Sequence, residues 1–517
     1  MSNLERSPSF TKEMLQEKCG ITGIISKQGE TATHLLPQMQ QKLLNRGRDS
    51  AGEAVFDHLT REIVVYKGIG KVKEVFPPNE FDFLANNLLS DRGIGHNRYG
   101  TDDTYDKDDA SCSQPMVGEY NGRKVAIAYN GNLPDSERVK LQKRFPSDVS
   151  NGANVDTADI LNAIITAEGD NWEERITNGL KGVHLAYSLT ILTDSGEVIG
   201  VRGPSGHWPL WVGEDDKKTI LSSETRVDEI YGFGNIVWKE VKPGELVNIT
   251  PEGIKKKQIF DSPGFFPCSL HDMYGARRNS MMTERIRFRD FRKEAGRRLA
   301  REHPIDADLY VGIPETGLDI VDGFAEEQGR TATEIVTRRE DIDSDEMRSF
   351  IGKNNDEINE VIGSKYMILE PERVRGKRVV TVDDSNIRGK TAGGDPLNDY
   401  TENSFRKTKG YVALLREAGA AEVHALFALP KFVNGCDMGY YIRADHLVAV
   451  VKGENGKYEI LDEQQIAKRI GADSVYYMSV RGVGSLYEWA YGKKDIGCMA
   501  CMGQPHPLDT IRDKNGQ

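Results

Sequence analysis

The chain lacks any run approaching the roughly eighteen consecutive apolar residues that a membrane-crossing helix requires, so no such span and no membrane partner are expected. Its first residues, Met1 to Lys18, have no apolar centre and do not read as a secretory signal. Positive charge is in deficit: 68 Lys and Arg against 80 Asp and Glu leave a net −12, which argues against bulk binding to nucleic acid or to a membrane surface. With those exclusions the protein is expected to be cytoplasmic. Cysteine is scarce too, at six in 517 residues. So few thiols in a reducing compartment do not form a disulfide framework, and metal, cluster or catalytic roles come first. No internal repeat or low-complexity tract stands out.

What remains is a globular composition, 38% hydrophobic and 29% charged, on a chain too long for one core. Two halves separate near residues 250 to 280. The first is strand-rich, with short apolar or alternating runs at Gly20 to Ile25, Ile63 to Lys67, Val125 to Tyr129, Tyr187 to Thr193, Glu197 to Arg202 and Thr219 to Ser222. Helical patterns at Leu35 to Leu44 and Ala158 to Ala167 interrupt them, which predicts stacked sheets with covering helices. The second half alternates: strands at Leu309 to Ile313, Arg378 to Val382 and Val423 to Ala428, helices at Ile320 to Gln328 and Tyr411 to Ala418. That alternation predicts a parallel sheet flanked by helices.

Cys19 opens the run Cys19-Gly20-Ile21-Thr22-Gly23-Ile24. Glycine lets the backbone approach closely, and Ile21 and Ile24 begin a buried strand. In isolation such a cysteine reads as a buried core thiol. As the first residue of a mature chain it would differ, because an α-amine of pKa about 8 beside a thiol of about 8.5 supplies nucleophile and base together. Four polar segments follow. Asn45 to Gly52 is a glycine-bracketed loop, and Gly95-His96-Asn97-Arg98-Tyr99-Gly100-Thr101 places an arginine in a similar turn. Asn130-Gly131 ends an apolar strand, where a hairpin turn is the default, although an amide beside a flexible N–H also suits a tetrahedral oxyanion. Asn154-Val155-Asp156 precedes a helix, which Asp156 would serve as N-cap.

Taken in order, Cys19 and these segments resemble the glutaminase domain of the N-terminal-nucleophile amidotransferases, most closely that of the glutamine phosphoribosylpyrophosphate amidotransferases. Gly182 to Leu192, Pro209-Leu210 and Ser222-Ser223-Glu224-Thr225 continue the likeness. The resemblance implies that Met1 to Lys18 is a propeptide and that Cys19 attacks the glutamine amide. It further implies that Asn130 and Gly131 form the oxyanion hole, that Arg98 holds the substrate carboxylate, and that Asp156 takes its ammonium. Gly203-Pro204-Ser205-Gly206-His207-Trp208 departs from the family, which usually carries an aspartate and an arginine there.

In the second half, Arg378 to Val382 feeds Asp383-Asp384 and then Ser385-Asn386-Ile387-Arg388-Gly389-Lys390-Thr391. Carboxylates at a strand's carboxyl end can hold ribose hydroxyls and a hydrated Mg²⁺, and the N–H groups that follow can cradle a phosphate. The segment resembles the phosphoribosyl pyrophosphate loop of type I phosphoribosyltransferases, implying Asp383, Asp384, Ser385, Gly389 and Thr391 as substrate ligands. Ile313-Pro314-Glu315-Thr316-Gly317 resembles the pyrophosphate loop, with Thr316 near the metal and Glu315 one methylene longer than the usual aspartate. Arg348-Ser349-Phe350-Ile351 resembles the loop that closes over the phosphates, implying Arg348 as a further ligand. After Thr391 the chain departs: Ala392-Gly393-Gly394-Asp395-Pro396 and a polar stretch to about Lys409 delay the expected helix.

Cys498-Met499-Ala500-Cys501, with Cys268 and Cys436 as companions, offers four soft thiolates suited to Zn²⁺ or a [4Fe–4S] cluster. The propeptide-bearing branch of the family binds such a cluster, so the resemblance implies [4Fe–4S] on Cys268, Cys436, Cys498 and Cys501, with Cys112 an ordinary thiol. The fold expected is α/β and two-domain. The resemblance implies that residues 1–18 are a propeptide, 19–260 an αββα N-terminal-nucleophile glutaminase sandwich, 261–465 a type I phosphoribosyltransferase parallel-sheet domain, and 466–517 a C-terminal segment with the CxxC pair. The expected reaction is glutamine hydrolysis coupled to amination of Mg²⁺-bound phosphoribosyl pyrophosphate, the first step of purine biosynthesis. A homotetramer with purine nucleotides as feedback ligands goes with it. A glutaminase with another phosphoribosyl-type acceptor and a non-enzymatic sensor are the alternatives.

Overall fold

In the computed structural model, the described residues are 19–507 apart from 28–30, 79–87, 89, 100–109, 147–148, 150–152, 184–185, 339–364, 395–408, 437, 441 and 454–456. Met1 to Lys18, Arg348 with its loop, and most of the insertion after Thr391 lie outside them.

The first half builds two antiparallel sheets. One contains β1 (Gly20–Ser26), β2 (Ser50–Asp57), β3 (Glu62–Ile69) and β4 (Arg92–Arg98). The other begins with β5 (Met116–Tyr120), β6 (Arg123–Gly131), β7 (Tyr187–Thr193) and β8 (Val198–Arg202). Strands β9 (Trp211–Glu214), β10 (Lys218–Ser222) and β11 (Val237–Glu240) join the first sheet, while β12 (Glu245–Thr250) and β13 (Gly253–Gln258) join the second. Their orders are β11-β9-β10-β1-β4-β2-β3 and β13-β12-β8-β7-β6-β5. Period-2 alternation assigns the faces. Ile21 and Ile25 of β1 pack between the sheets with Ala126 and Ala128 of β6, whereas Ile24 packs with Leu36 and Met39 of α1 (Ala32–Lys42). Val125, Ile127 and Tyr129, the intervening residues of β6, pack with Ile160, Leu161 and Ile164. Those three lie on α2 (Asp156–Thr166). The layers are therefore αββα.

Three local expectations are corrected. Gly95 to Arg98 is strand, not turn: a Cβ on Gly95 would overlap Gln40 and Thr22, so glycine here serves close packing beneath α1. Asn130-Gly131 is not a hairpin turn but the last two residues of β6, paired with Ser188 and Tyr187. Val155, not Asp156, is the N-cap of α2.

The second half carries a four-stranded parallel sheet of β14 (Leu309–Gly312), β17 (Arg378–Asp383), β18 (Glu422–Phe427) and β21 (Ser474–Tyr477), in that order, so the sheet extends past residue 465. Two small antiparallel pairs, β15 (Val336–Arg338) with β16 (Tyr366–Ile368) and β19 (Val450–Lys452) with β20 (Tyr458–Ile460), complete the strands among the described residues. Helix α3 (Phe288–Glu302) crosses α4 (Thr316–Glu327) at two glycines. A Cβ on Gly296 would overlap the Ile320 carbonyl, and one on Gly323 the Lys293 carbonyl. That approach fixes the N-terminus of α4, where Thr316 stands. The expected helix after Thr391 is cut to one turn, Lys390–Gly393, and resumes as α5 (Tyr411–Glu417). Gly410 lies against the Ala392 carbonyl, so the insertion leaves and returns at one point.

The two halves share a core. Trp208 is fully buried with Met273, Phe288 and Tyr440. Its indole meets the rings of His207 and His271 edge-on, at 4.9 and 5.8 Å between centroids. Removing an indole's ~200 Å² from water is worth about 5 kcal/mol as an upper figure. The segment that departs from the family is thus an apolar joint between the halves.

Candidate functional site

Each half gathers its polar residues at the ends of strands. In the first, Cys19 precedes β1, and the pairing of Gly20 with Asn97 puts it beside Arg98 at the end of β4. Arg98 is 9% exposed, and its carbonyl accepts the Asp49 N–H at 3.0 Å. A Cβ on Gly47 would overlap that same Arg98 backbone, which explains the glycine in the preceding loop. Across the sandwich, His96 Nε2 lies 3.2 Å from the Tyr129 carbonyl, to which it donates. Burial lowers the His96 pKa to about 3, so the ring is neutral; the Tyr129 carbonyl opposes the shift, and the Arg98 and Lys67 charges reinforce it.

Asn130 follows at the end of β6. Its side chain is fully buried, and neither its amide nitrogen nor its oxygen has a hydrogen-bond partner. Buried polar groups are normally satisfied, so an amide left open marks a place where another molecule's polar atom belongs. Gly131 beside it has no room for a side chain, since a Cβ would strike the Tyr129 ring. Asp156 accepts the Leu133 N–H at 3.3 Å and the Thr157 N–H at 2.8 Å. Burial raises the Tyr129 pKa first, and the charges of Asp156, Tyr187 and Cys19 raise it further. The sequence-derived set Cys19, Arg98, Asn130, Gly131 and Asp156 thus collects at one end of the sandwich.

In the second half the site lies at the carboxyl ends of β14 and β17, where ligands of parallel sheets bind. Asp383 and Asp384 are both buried, and Ser385 Oγ donates to Asp384 at 2.6 Å. Thr316 Oγ1 also donates to Asp384, tying the two loops together. Burial raises the Asp383 pKa, and neighbouring Asp384 raises it further. Asp384 is raised by burial against the opposing Ser385 and Thr316 hydroxyls. Gly389 takes φ +77° and packs against Val448, which no L side chain would allow. Thr391 sits in the single helical turn beyond it.

A chain of polar contacts, buried at Arg46 and Glu224 and half-exposed at Glu315, runs between the sites. Arg46 Nε donates to the Cys19 carbonyl at 3.2 Å, and its Nη1 lies 3.2 Å from Glu224 Oε1. Glu224 Oε1 also accepts from Asn45 at 2.8 Å; its Oε2 accepts from the Arg277 backbone at 3.1 Å and Ser280 Oγ at 2.9 Å. Arg277 Nη1 then reaches Glu315 Oε2 at 3.0 Å, and Arg338 Nη1 reaches Glu315 Oε1 at 3.4 Å. The roles of Arg46, His96, Glu224, Arg277 and Arg338 were not apparent in the sequence, because each depends on a partner far along the chain. The available signal was that Arg46, His96 and Glu224 fall within the segments Asn45 to Gly52, Gly95 to Thr101 and Ser222 to Thr225 that carry the resemblance.

Cys268, Cys436, Cys498 and Cys501 line one cavity together with His207 and His506. The backbones of Cys268 and Cys498 pair as an isolated parallel β-bridge, with both thiols free, and the Cys501 carbonyl accepts the Val433 and Asn434 N–H groups at 2.9 and 3.0 Å. Burial raises the pKa of Cys268 and Cys501, with neighbouring thiols adding to it, and pushes Cys498 up to about 12. No three His, Cys, Asp or Glu among the described residues are drawn together as ligands of a single ion. Cys112 lies elsewhere, in the core of the first half. Among the described residues no helix is long and apolar enough to cross a membrane.

Fold and site together define an N-terminal-nucleophile type hydrolase sandwich joined to a type I phosphoribosyltransferase sheet. The amidophosphoribosyltransferase of Archaeoglobus fulgidus is 30% identical over 503 residues, covering 95% of this chain and 98% of that protein. The chain belongs to the amidophosphoribosyltransferase family. The Methanocaldococcus jannaschii member is likewise 30% identical, over 96% of this chain and 99% of its own length. Among solved structures, glutamine phosphoribosylpyrophosphate amidotransferase from B. subtilis, complexed with ADP and GMP, superposes with a TM-score of 0.74 at 26% identity, covering 95% of this chain and 97% of that one. A structure of the allosteric regulatory enzyme of purine biosynthesis gives 0.76 at 26% identity, covering 95% and 96%. No family model matches the chain.

Proposed function

We propose that this chain is a glutamine-dependent amidophosphoribosyltransferase acting in the first step of purine biosynthesis. Cys19 begins the mature chain once Met1 to Lys18 is removed. Its thiol attacks the glutamine amide carbon while the α-amine takes the thiol proton and returns it to the leaving nitrogen. Asn130 Nδ2 and the Gly131 N–H receive the oxyanion, Arg98 binds the substrate carboxylate, and Asp156 its ammonium. Ammonia leaves, water hydrolyses the thioester to glutamate, and the ammonia displaces pyrophosphate from C1 of phosphoribosyl pyrophosphate. The observation that carries this reading is Asn130, an open buried amide within the same strand end as Tyr129 and Gly131.

In the second site no side chain need act as nucleophile, so catalysis there rests on positioning and charge. Asp383 and Asp384 hold the ribose, and Ser385, Gly389 and Thr391 take the 5-phosphate. Arg348 adds a phosphate contact from its loop. Asp383, Asp384 and Thr316 are the residues that would hold Mg²⁺, whose charge offsets that of the departing pyrophosphate. The two carboxylates, raised first by burial, fit a cation, whose charge would offset the cost of burying them. Four thiols around one cavity support a [4Fe–4S] cluster with a structural or oxygen-sensing role. Feedback by purine nucleotides is supported by the B. subtilis protein with ADP and GMP. Homotetrameric assembly and a cytoplasmic location complete the reading. Relatives of one name over nearly the full length do not favour another acceptor or a non-enzymatic sensor.

The test is pyrophosphate release from Mg²⁺–phosphoribosyl pyrophosphate with glutamine or with ammonia as nitrogen source. Cys19→Ala is expected to abolish the glutamine reaction and keep the ammonia reaction, and intact mass to show a chain starting at Cys19. Pyrophosphate release that ignores both nitrogen sources, or glutamine hydrolysis that survives Cys19→Ala, overturns the reading.

A further inference from the structure

The pyrophosphate loop carries an acid in an unexpected engagement. Glu315 extends from the turn between β14 and α4, and both its oxygens are taken: Oε2 by Arg277 at 3.0 Å and Oε1 by Arg338 at 3.4 Å. Arg338 also donates from Nε to the Pro314 carbonyl at 3.2 Å, so its guanidinium lies along the loop. Next to Glu315 stands Thr316, bonded to Asp384. Two forked cations therefore converge where an oxyanion-rich leaving group would sit, and the anion between them belongs to the protein.

The backbones of the two arginines are held independently of that anion. The Arg277 N–H is anchored on buried Glu224, and Arg338 is fixed in the β15–β16 pairing opposite Tyr366. Only their side chains need to turn. Glu315 is the weak member, with its side chain 53% exposed against 27% and 18% for the arginines. A half-exposed ion pair is held loosely, whereas a polyphosphate offers each guanidinium a bidentate contact at higher charge.

We propose that Glu315 is a built-in competitor for pyrophosphate: it occupies Arg277 and Arg338 in the free enzyme and yields them to the pyrophosphate group of the substrate. The inference rests on the phosphoribosyl pyrophosphate reading above and adds two ligands and a gate to it. Exchange of one anion for another keeps both guanidiniums neutralised at every stage, so neither is left as an uncompensated charge. It also sets a selectivity. A ligand with only the 5-phosphate, which does not reach this loop, has no means of displacing Glu315, and its binding is indifferent to the acid. A ligand carrying pyrophosphate must compete with it.

The experiment is calorimetric titration of the full chain with inorganic pyrophosphate in Mg²⁺ buffer, with ribose 5-phosphate as the control ligand. Glu315→Gln removes the competing charge and keeps the shape, and is expected to tighten pyrophosphate about fivefold, the worth of one half-exposed ion pair. Arg277→Ala and Arg338→Ala are each expected to weaken it about tenfold or more, and in either background Glu315→Gln loses part of its gain. Ribose 5-phosphate affinity stays unchanged in all of them, which a general disturbance of the fold would not allow. Unchanged or weaker pyrophosphate binding in Glu315→Gln overturns the gate and leaves the acceptor reading standing. A parent chain that neither binds pyrophosphate nor releases it with ammonia removes the acceptor reading, and the gate falls with it.

Discussion

Replacing Asn130 by alanine should separate catalysis from stability. The Asn130 amide is fully buried and makes no hydrogen bond. An unsatisfied buried polar group costs the folded state about 1–3 kcal/mol, which alanine removes. Against this, loss of the carboxamide leaves a space of roughly 40 Å³, costing about 1 kcal/mol at ~24 cal/mol per Å³. Asn130→Ala is therefore expected to fold at least as well as the parent, with a gain of up to ~2 kcal/mol. Activity should move the other way. A single oxyanion donor is worth about 10²–10³ in turnover, or ~3–4 kcal/mol of barrier, so glutamine hydrolysis falls by that factor while ammonia-dependent synthesis is untouched. The assays are urea unfolding at pH 7 and glutamate release alongside pyrophosphate release. A variant clearly less stable than the parent, yet still hydrolysing glutamine at the parental rate, would refute the assignment, because Asn130 would then be a packing residue.

Other perturbations read other parts of the structure. Glu224→Gln leaves the buried Arg46 guanidinium uncompensated and should cost about 3 kcal/mol in urea unfolding, as removal of one partner of a buried pair does; a loss within ~0.5 kcal/mol would show that the bridge contributes nothing. His96 is neutral when folded, with its pKa lowered from 6.5 to about 3. The unfolded chain takes up that proton first, so this contribution is fully present above pH 6.5 and fades as pH falls toward 3. Between pH 7 and 5 the loss is about 2 kcal/mol, and His96→Gln should flatten that part of the unfolding-midpoint curve. Cys436→Ser should lower bound iron and sulfide and bleach the associated visible absorbance, whereas Cys112→Ser should change neither; equal iron in both variants would argue against the thiol cavity as the cluster site.

Much of the architecture was legible because it is written in period and punctuation. Tyr187 to Thr193 reads as strand from its apolar run and is strand to the residue. The parallel half was legible from alternation, and Asp383-Asp384 from its place after a β-branched strand. Gly95 to Arg98 misled because glycine serves both turns and close packing, and sequence does not distinguish them. Asp156 misled by one position, since a carboxylate that bonds the next N–H looks in sequence like a cap. The junction was least legible. Arg46 and Glu224 are separated by most of the first half, and Glu224 meets Arg277 across the boundary between halves. Nothing local marks either pairing, because the partners lie 178 and 53 positions apart in the chain.

The indole of Trp208 makes the boundary between the halves chemically invisible to the folding reaction. A chain divided near residue 260 would strand Trp208 on one piece and its Met273, Phe288 and Tyr440 surroundings on the other. Each fragment would then display a greasy scar where neither had a surface before, and would be prone to self-association. Heating or denaturant should consequently melt glutaminase and transferase portions as one unit. Cutting the chain at the boundary would therefore not release two independently stable halves.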